Sequence, residues 1–175
     1  MFERCPTCLY TGDGKGKTTA ALGRCLDAVS RGSKVYMVQF LKRPNTAGEH
    51  FTPESLSGLF TIVPAGIGQF IVRRQSGPED REVAQTALKQ AYDAMLSGDY
   101  GMVILDEAMA ALRKQVIDLT QILDFISAKP ENVELVITGR KAPPDVISLA
   151  DIVIEMKKVK HHFDKGLRAI KGIDY

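Results

Sequence analysis

Nine residues near the start of the chain constrain its fold more than any other feature. Thr11 to Thr19, TGDGKGKTT, follow a short apolar stretch and run straight into AALGRCLDAV, a good helical pattern. That is a strand, a glycine loop and a helix start. Gly12, Gly14 and Gly16 let the backbone curl so that successive amides turn toward an anion, and the positive end of the helix dipole adds to their field. Lys17 would reach the phosphates of a nucleotide, and the Thr18 hydroxyl would ligate the magnesium that bridges them. The usual GxxxxGK(S/T) spacing calls for glycine at position 11, where this chain has Thr11. The alternative is a glycine-rich turn that binds nothing, but glycines, lysine and hydroxyl together in a strand-to-helix context weigh against it.

The rest of the chain alternates in a way that suits such a loop. Apolar runs rich in Val and Ile occur at Lys34 to Phe40, Leu59 to Pro64, Gly101 to Leu105, Val133 to Thr138 and Asp151 to Met156, and a sixth strand is expected before residue 12. Their near-continuous hydrophobicity suits strands covered on both faces, as in a parallel sheet. Between them, Ala84, Ala87, Leu88, Ala91 and Met95 share one helical face. Ser76 with Glu79 reads as its capping box, and Ser97-Gly98 as its end. A second helix is expected after Asp118, with Leu119, Ile122, Leu123 and Ile126 inward. The reading is α/β: one domain over residues 1–175, a mostly parallel sheet of about six strands with helices on both faces, like a P-loop NTPase. Leu41 to Ser57 and Ala65 to Gly77 do not fit the alternation and read as long functional loops.

At 175 residues the chain is long enough to bury a core without metals or disulfides. Twenty-three basic against 21 acidic residues give no net-charge argument for nucleic acid or membrane. Three cysteines make no disulfide framework, and no apolar run approaches a membrane span. A cytoplasmic location is expected. Cys5 and Cys8 have zinc or redox spacing but no second ligand pair beyond His161 and His162, so packing as small hydrophobes is the simpler role. The basic tail after Met156 lacks the interleaved aromatics of a nucleic-acid surface.

A second chemical element is GMVILDE, which puts Asp106 and Glu107 at the carboxyl end of a buried strand, where open α/β sheets bind ligands. A magnesium-site carboxylate is expected there. Nucleotide binding follows from the two motifs together, while the fate of the nucleotide does not.

The blocks TGDGKGKTTAALG, VQF (Val38 to Phe40), ILDE (Ile104 to Glu107), TGR (Thr138 to Arg140), LAD (Leu149 to Asp151), VKHHFDKG and the closing KGIDY, in this order, resemble the ATP:corrinoid adenosyltransferases. The resemblance runs through most of the chain, and its C-terminal blocks are the most specific. It implies transfer of the 5′-deoxyadenosyl group of ATP to a Co(I) corrinoid with release of triphosphate. Reduced cobalt is the nucleophile, so no catalytic Ser, Cys or His is required. It further implies ATP binding by Gly12, Asp13, Gly14, Lys15, Gly16, Lys17, Thr18, Thr19 and Arg140, and Mg2+ on Thr18 and Glu107. The corrinoid would contact Gly66 and Phe70, the latter being the one aromatic between Ala65 and Gly77. The nucleotide would lie reversed, its ribose toward the acceptor. A homodimer and a reductase partner are also expected. Many members carry a covering N-terminal helix, whereas ten residues precede Thr11 here, so a more open site or a different cover is expected. His161, Arg73 and Arg74 read equally well as structural or loop charges. A kinase or NTPase acting on the terminal phosphate, and a nucleotide-switched binding module, are the rival classes.

Overall fold

The structure, a computed structural model, describes residues 4–44, 49, 56, 58–67 and 76–160. Strands β1 (Thr7–Thr11), β2 (Val35–Phe40), β3 (Phe60–Ala65), β4 (Met102–Asp106), β5 (Glu134–Thr138) and β6 (Ile152–Glu155) form one parallel sheet in the order β3-β2-β4-β5-β1-β6. Each lies within about a residue of the run that announced it. Every residue of β1, β2, β4 and β5 is buried. Alternate side chains divide between two apolar clusters. Leu9, Val38, Leu105 and Ile137 join α2 (Pro78–Leu96), α3 (Ala108–Arg113), α4 (Leu119–Ser127) and α5 (Pro144–Leu149) on one face. On the other, Cys8, Tyr10, Met37, Ile104 and Val136 pack on α1 (Lys17–Ser30). Each large side chain removed from water in this way contributes about 1.5–3 kcal/mol, so the four central strands carry the stability.

β6 departs from the expectation of strands covered on both faces. All four of its residues are exposed, and as an edge strand it pairs with β1 alone. The LAD block sets its register: Asp151 donates its backbone N–H to Thr7 O (2.9 Å) and its carboxylate accepts the Thr7 N–H (2.7 Å).

Helix starts follow local chemistry. Asp118 caps α4, and its own N–H is taken by the Gln121 side chain at 2.9 Å. The box expected from Ser76 and Glu79 is shifted by one residue. Pro78 takes the first helical position, so Gly77 becomes the cap and donates its N–H to Asp80 Oδ2 (2.8 Å), while the Ser76 hydroxyl donates to Lys114 O (2.9 Å). Helices α3 and α5 have six residues each, too few turns for a period to show in the sequence. The forked pair of Arg24 with Glu134 (2.9 and 2.8 Å) locks α1 to β5.

Cys5, Cys8 and Cys25 are free thiols. Cys8 and Cys25 lie in the apolar cluster beside α1, and burial pushes the Cys25 thiol up to about 11. Among the described residues no three His, Cys, Asp or Glu side chains come together as a metal-ligand set, and no helix is long and apolar enough to cross a membrane.

Candidate active site

All five β-strand ends that carry candidate residues open onto one edge of the sheet. β5 separates β1, which leads into the phosphate loop, from β4, which ends in Asp106. The gap is bridged by side chains. Thr18 Oγ1, in the first turn of α1, donates to Asp106 Oδ1 (2.8 Å), and Thr138 Oγ1, ending β5, donates to the same oxygen (2.7 Å). The other oxygen, Oδ2, accepts Gln39 Nε2 from the end of β2 at 2.9 Å and lies 3.1 Å from the Lys42 ammonium. Asp106 is 0% exposed and its lone pairs are fully engaged.

The loop itself needs glycine in two ways. Gly12 and Gly16 have φ of 93° and 106°, in the left-handed region that other residues enter at a cost. At Gly14 the reason is space: a Cβ there would stand 2.6 Å from Met156 O, the same oxygen that accepts the Gly14 N–H at 2.6 Å. The Gly14 amide, expected to face an anion, is thus held by the chain leaving β6. Lys17 curls back over the loop, donating to Gly12 O (2.9 Å) and Gly14 O (2.6 Å). Burial, followed by the nearby Arg140 charge, lowers its pKa. A buried ammonium resting on carbonyls gains most from an arriving polyanion. Asp13 and Lys15 are exposed on the loop, and Thr19 is exposed in the first turn of α1.

Glu107 follows Asp106 in a left-handed conformation (φ 58°), with its N–H donated to Thr138 Oγ1 at 2.9 Å. Burial, then the Asp106 charge, pushes its carboxyl up. The charges of Lys42, Lys17 and Arg140 act in the opposite direction without offsetting it. Arg140 is exposed just beyond β5, its carbonyl taken by the Arg113 guanidinium. Gly66 follows β3, where a Cβ would stand 2.7 Å from Leu41 C and 2.8 Å from Lys42 O. Phe70, Arg73, Arg74, His161 and His162 lie outside the described residues.

The sequence reading missed Gln39, Lys42, Glu49 and Thr138. Thr138 sat in the TGR block and Gln39 in VQF, but no spacing linked them to Asp106, which lies 32 and 67 residues away from them. Glu49 Oε1 accepts Gln39 Nε2 (3.0 Å) and Lys42 Nζ (2.8 Å). Burial alone would raise the Glu49 carboxyl, but the bonds from Gln39 and Lys42 and the Lys42 charge outweigh it and bring it down to about 2. A folded-state value below the usual 4.5 means that Glu49 stabilises the fold above that pH and that this share is lost as pH falls through about 2. Thermal melts of wild type and Glu49→Gln should therefore differ at pH 6 and converge toward pH 2; a constant gap would refute the pairing.

Residues 3–175 match the family described as ATP:corrinoid adenosyltransferase BtuR/CobO/CobP. The chain is 36% identical to the corrinoid adenosyltransferase of Pseudomonas aeruginosa, with 99% of this chain and 85% of that one covered. It is 37% identical to the Escherichia coli K12 enzyme of the same name, at 99% and 87% coverage, and 34% identical to that of Salmonella typhimurium, also at 99% and 87%. Among solved structures, a KaiC-like protein of Pyrococcus horikoshii superposes with a TM-score of 0.60 at 19% identity, covering 88% of this chain and 73% of that one. The flagellar accessory protein FlaH of Methanocaldococcus jannaschii gives 0.55 at 15% identity, covering 87% and 71%. These two show the fold alone, that of P-loop NTPases. With the loop, the carboxylate strand and a match along the whole chain in hand, this protein belongs to the ATP:corrinoid adenosyltransferase family.

Proposed function

We propose that the chain performs its family's reaction at this sheet edge, with the residues in the following roles. The loop Gly12, Asp13, Gly14, Lys15, Gly16, Lys17, Thr18 and Thr19, with Arg140, holds the triphosphate of ATP. Thr18 and Glu107 hold Mg2+, which would supply charge neutralisation on that triphosphate. Asp106 accepts the hydrogen bond of the Thr18 hydroxyl, which leaves the hydroxyl's lone pairs turned outward. Gly66 and Phe70 contact the corrinoid.

In the reaction, the electron pair of Co(I) forms the bond to C5′ while the bond from C5′ to the triphosphate oxygen breaks and its electrons leave with triphosphate. No side chain needs to gain or lose a proton. The protein's share is to align the two reactants and to stabilise charge on the leaving group, tasks for positioned cations and amides. Lys17 leaves its two carbonyls to meet that charge. The ribose faces the acceptor, so a phosphate loop serves chemistry at the sugar. The protein acts as a homodimer in the cytoplasm, where a reductase supplies Co(I); three free thiols agree with a reducing compartment.

The observation that carries this reading is the 2.8 Å bond from Thr18 to Asp106, which makes one site of two motifs 88 residues apart. The test supplies MgATP with and without a chemically reduced corrinoid and identifies the phosphorus product. Triphosphate and a light-sensitive carbon–cobalt species, formed only with corrinoid, are expected. Orthophosphate released without corrinoid would instead mark a phosphohydrolase. Phe70→Ala should slow the transfer at least tenfold with MgATP affinity unchanged, and an unchanged rate would remove Phe70 from the corrinoid site.

A further inference from the structure

Lys42 stands where two parts of the site meet. Its ammonium lies 2.8 Å from Glu49 Oε1 and 3.1 Å from Asp106 Oδ2. Its backbone is the surface on which the chain leaving β3 rests: a Cβ at Gly66 would stand 2.8 Å from Lys42 O and 2.9 Å from Lys42 N, well inside contact distance. The turn that brings this about is unusual. Leu41 has φ of 64°, a left-handed conformation costly for a branched side chain, and its N–H is tied to Ala65 O at 2.9 Å. That turn sends Lys42 back over the sheet edge toward Asp106. Contacts thereby run from the end of β3 through the Leu41–Ala65 backbone bond and the neighbouring Lys42 to Asp106 and on to Thr18 in the first turn of α1.

We propose that Lys42 is a positioning residue that couples the segment following β3 to the nucleotide's cation site, so that a shift at Gly66 changes how MgATP is held. The proposal rests on the assignment of MgATP to the phosphate loop, and it does not need the corrinoid assignment. The mechanism is mechanical and electrostatic. Movement of the 65–67 backbone displaces that of Lys42, the ammonium moves relative to Asp106 Oδ2, and the hold of Oδ1 on the Thr18 hydroxyl changes with it. Glu49 is the second anchor that keeps the ammonium from following solvent. Coupling of this kind is expected to change affinity by roughly 5- to 150-fold.

A double-mutant cycle on MgATP affinity, read by calorimetry with no corrinoid present, tests this. Gly66→Ala forces a methyl against the Lys42 backbone and should weaken MgATP binding about tenfold. In a Lys42→Met background the same change should have less than a twofold effect, whereas Lys42→Arg should restore most of it. Glu49→Gln, which leaves the backbone untouched, should blunt the Gly66→Ala effect as well. Equal effects of Gly66→Ala in the wild-type and Lys42→Met backgrounds would overturn the proposal, as would an unaltered affinity in Gly66→Ala. A wild-type protein that binds no MgATP would overturn the nucleotide assignment instead. Circular dichroism melts of each variant separate loss of coupling from loss of fold.

Discussion

Replacing Lys17 by methionine should lower kcat/KM for MgATP by about 10²–10³-fold, the usual loss when one preorganised donor to a developing charge is removed. The lysine is 6% exposed and rests on two carbonyls of its own loop, so its charge is aimed inward before any nucleotide arrives. Methionine fills a similar volume, and the loss of two charge-assisted bonds, about 1.5–3 kcal/mol each, is offset by no longer burying an ammonium. Stability should thus change little while nucleotide affinity and transfer rate collapse together. Steady-state kinetics beside a urea titration separates the two, and a variant that keeps a tenth of the wild-type rate would deny Lys17 its role.

The second large effect is expected at Asp106. In Asp106→Asn one oxygen becomes an NH2 group that can donate but not accept. Lys42 has only donors to offer, and Gln39 keeps its NH2 end toward this oxygen because the same nitrogen also donates to Glu49, so the remaining oxygen must face them and the new amide must face Thr18 and Thr138. The Thr18 hydroxyl then has to accept rather than donate, which turns its proton toward the place proposed for the cation. Activity should fall at least 10²-fold and the apparent demand for Mg2+ should rise. The loss of charged hydrogen bonds would cost about 1–3 kcal/mol of stability. Glu107→Gln, whose carboxyl no described side chain bonds in this way, should weaken Mg2+ dependence with a smaller cost in stability. If Asp106→Asn kept wild-type Mg2+ dependence, the link between Thr18 and the carboxylate strand would have no functional meaning.

Most of the architecture was legible because it rests on local chemistry. A glycine loop between an apolar strand and a helix has few alternatives, and Val- and Ile-rich runs of five or six residues mark the strands of a parallel sheet, although β6 is exposed throughout and β3 only partly buried. For the helices, legibility failed in two ways. Helices α3 and α5 are too short to show a period. The capping box moved by one residue because Pro78 decides where the first turn begins. Neither error touched the site.

The inner circle of the site was legible only in part, for a different reason. Thr18, Asp106 and Glu107 stood out as candidates because each sits in a motif whose chemistry is complete within a few residues. Gln39, Lys42, Glu49 and Thr138 belong to short blocks with no chemistry of their own, and become site residues only where strands far apart in sequence end side by side. Gly14 shows the same limit from another side. Its glycine was expected for its amide, but the chain leaving β6, 142 residues further on, takes that amide and also occupies the space a side chain would need.

By itself, then, the sequence determined the phosphate loop, the parallel α/β sheet and, through blocks spread over the chain, the family. Those properties depend on residue type and short spacing, which are written along the chain. Tertiary structure decided which side chains satisfy Asp106, that Lys17 is held inward, and that the segment after β3 rests on Lys42. These depend on the order β3-β2-β4-β5-β1-β6, and no local pattern encodes which strand ends become neighbours.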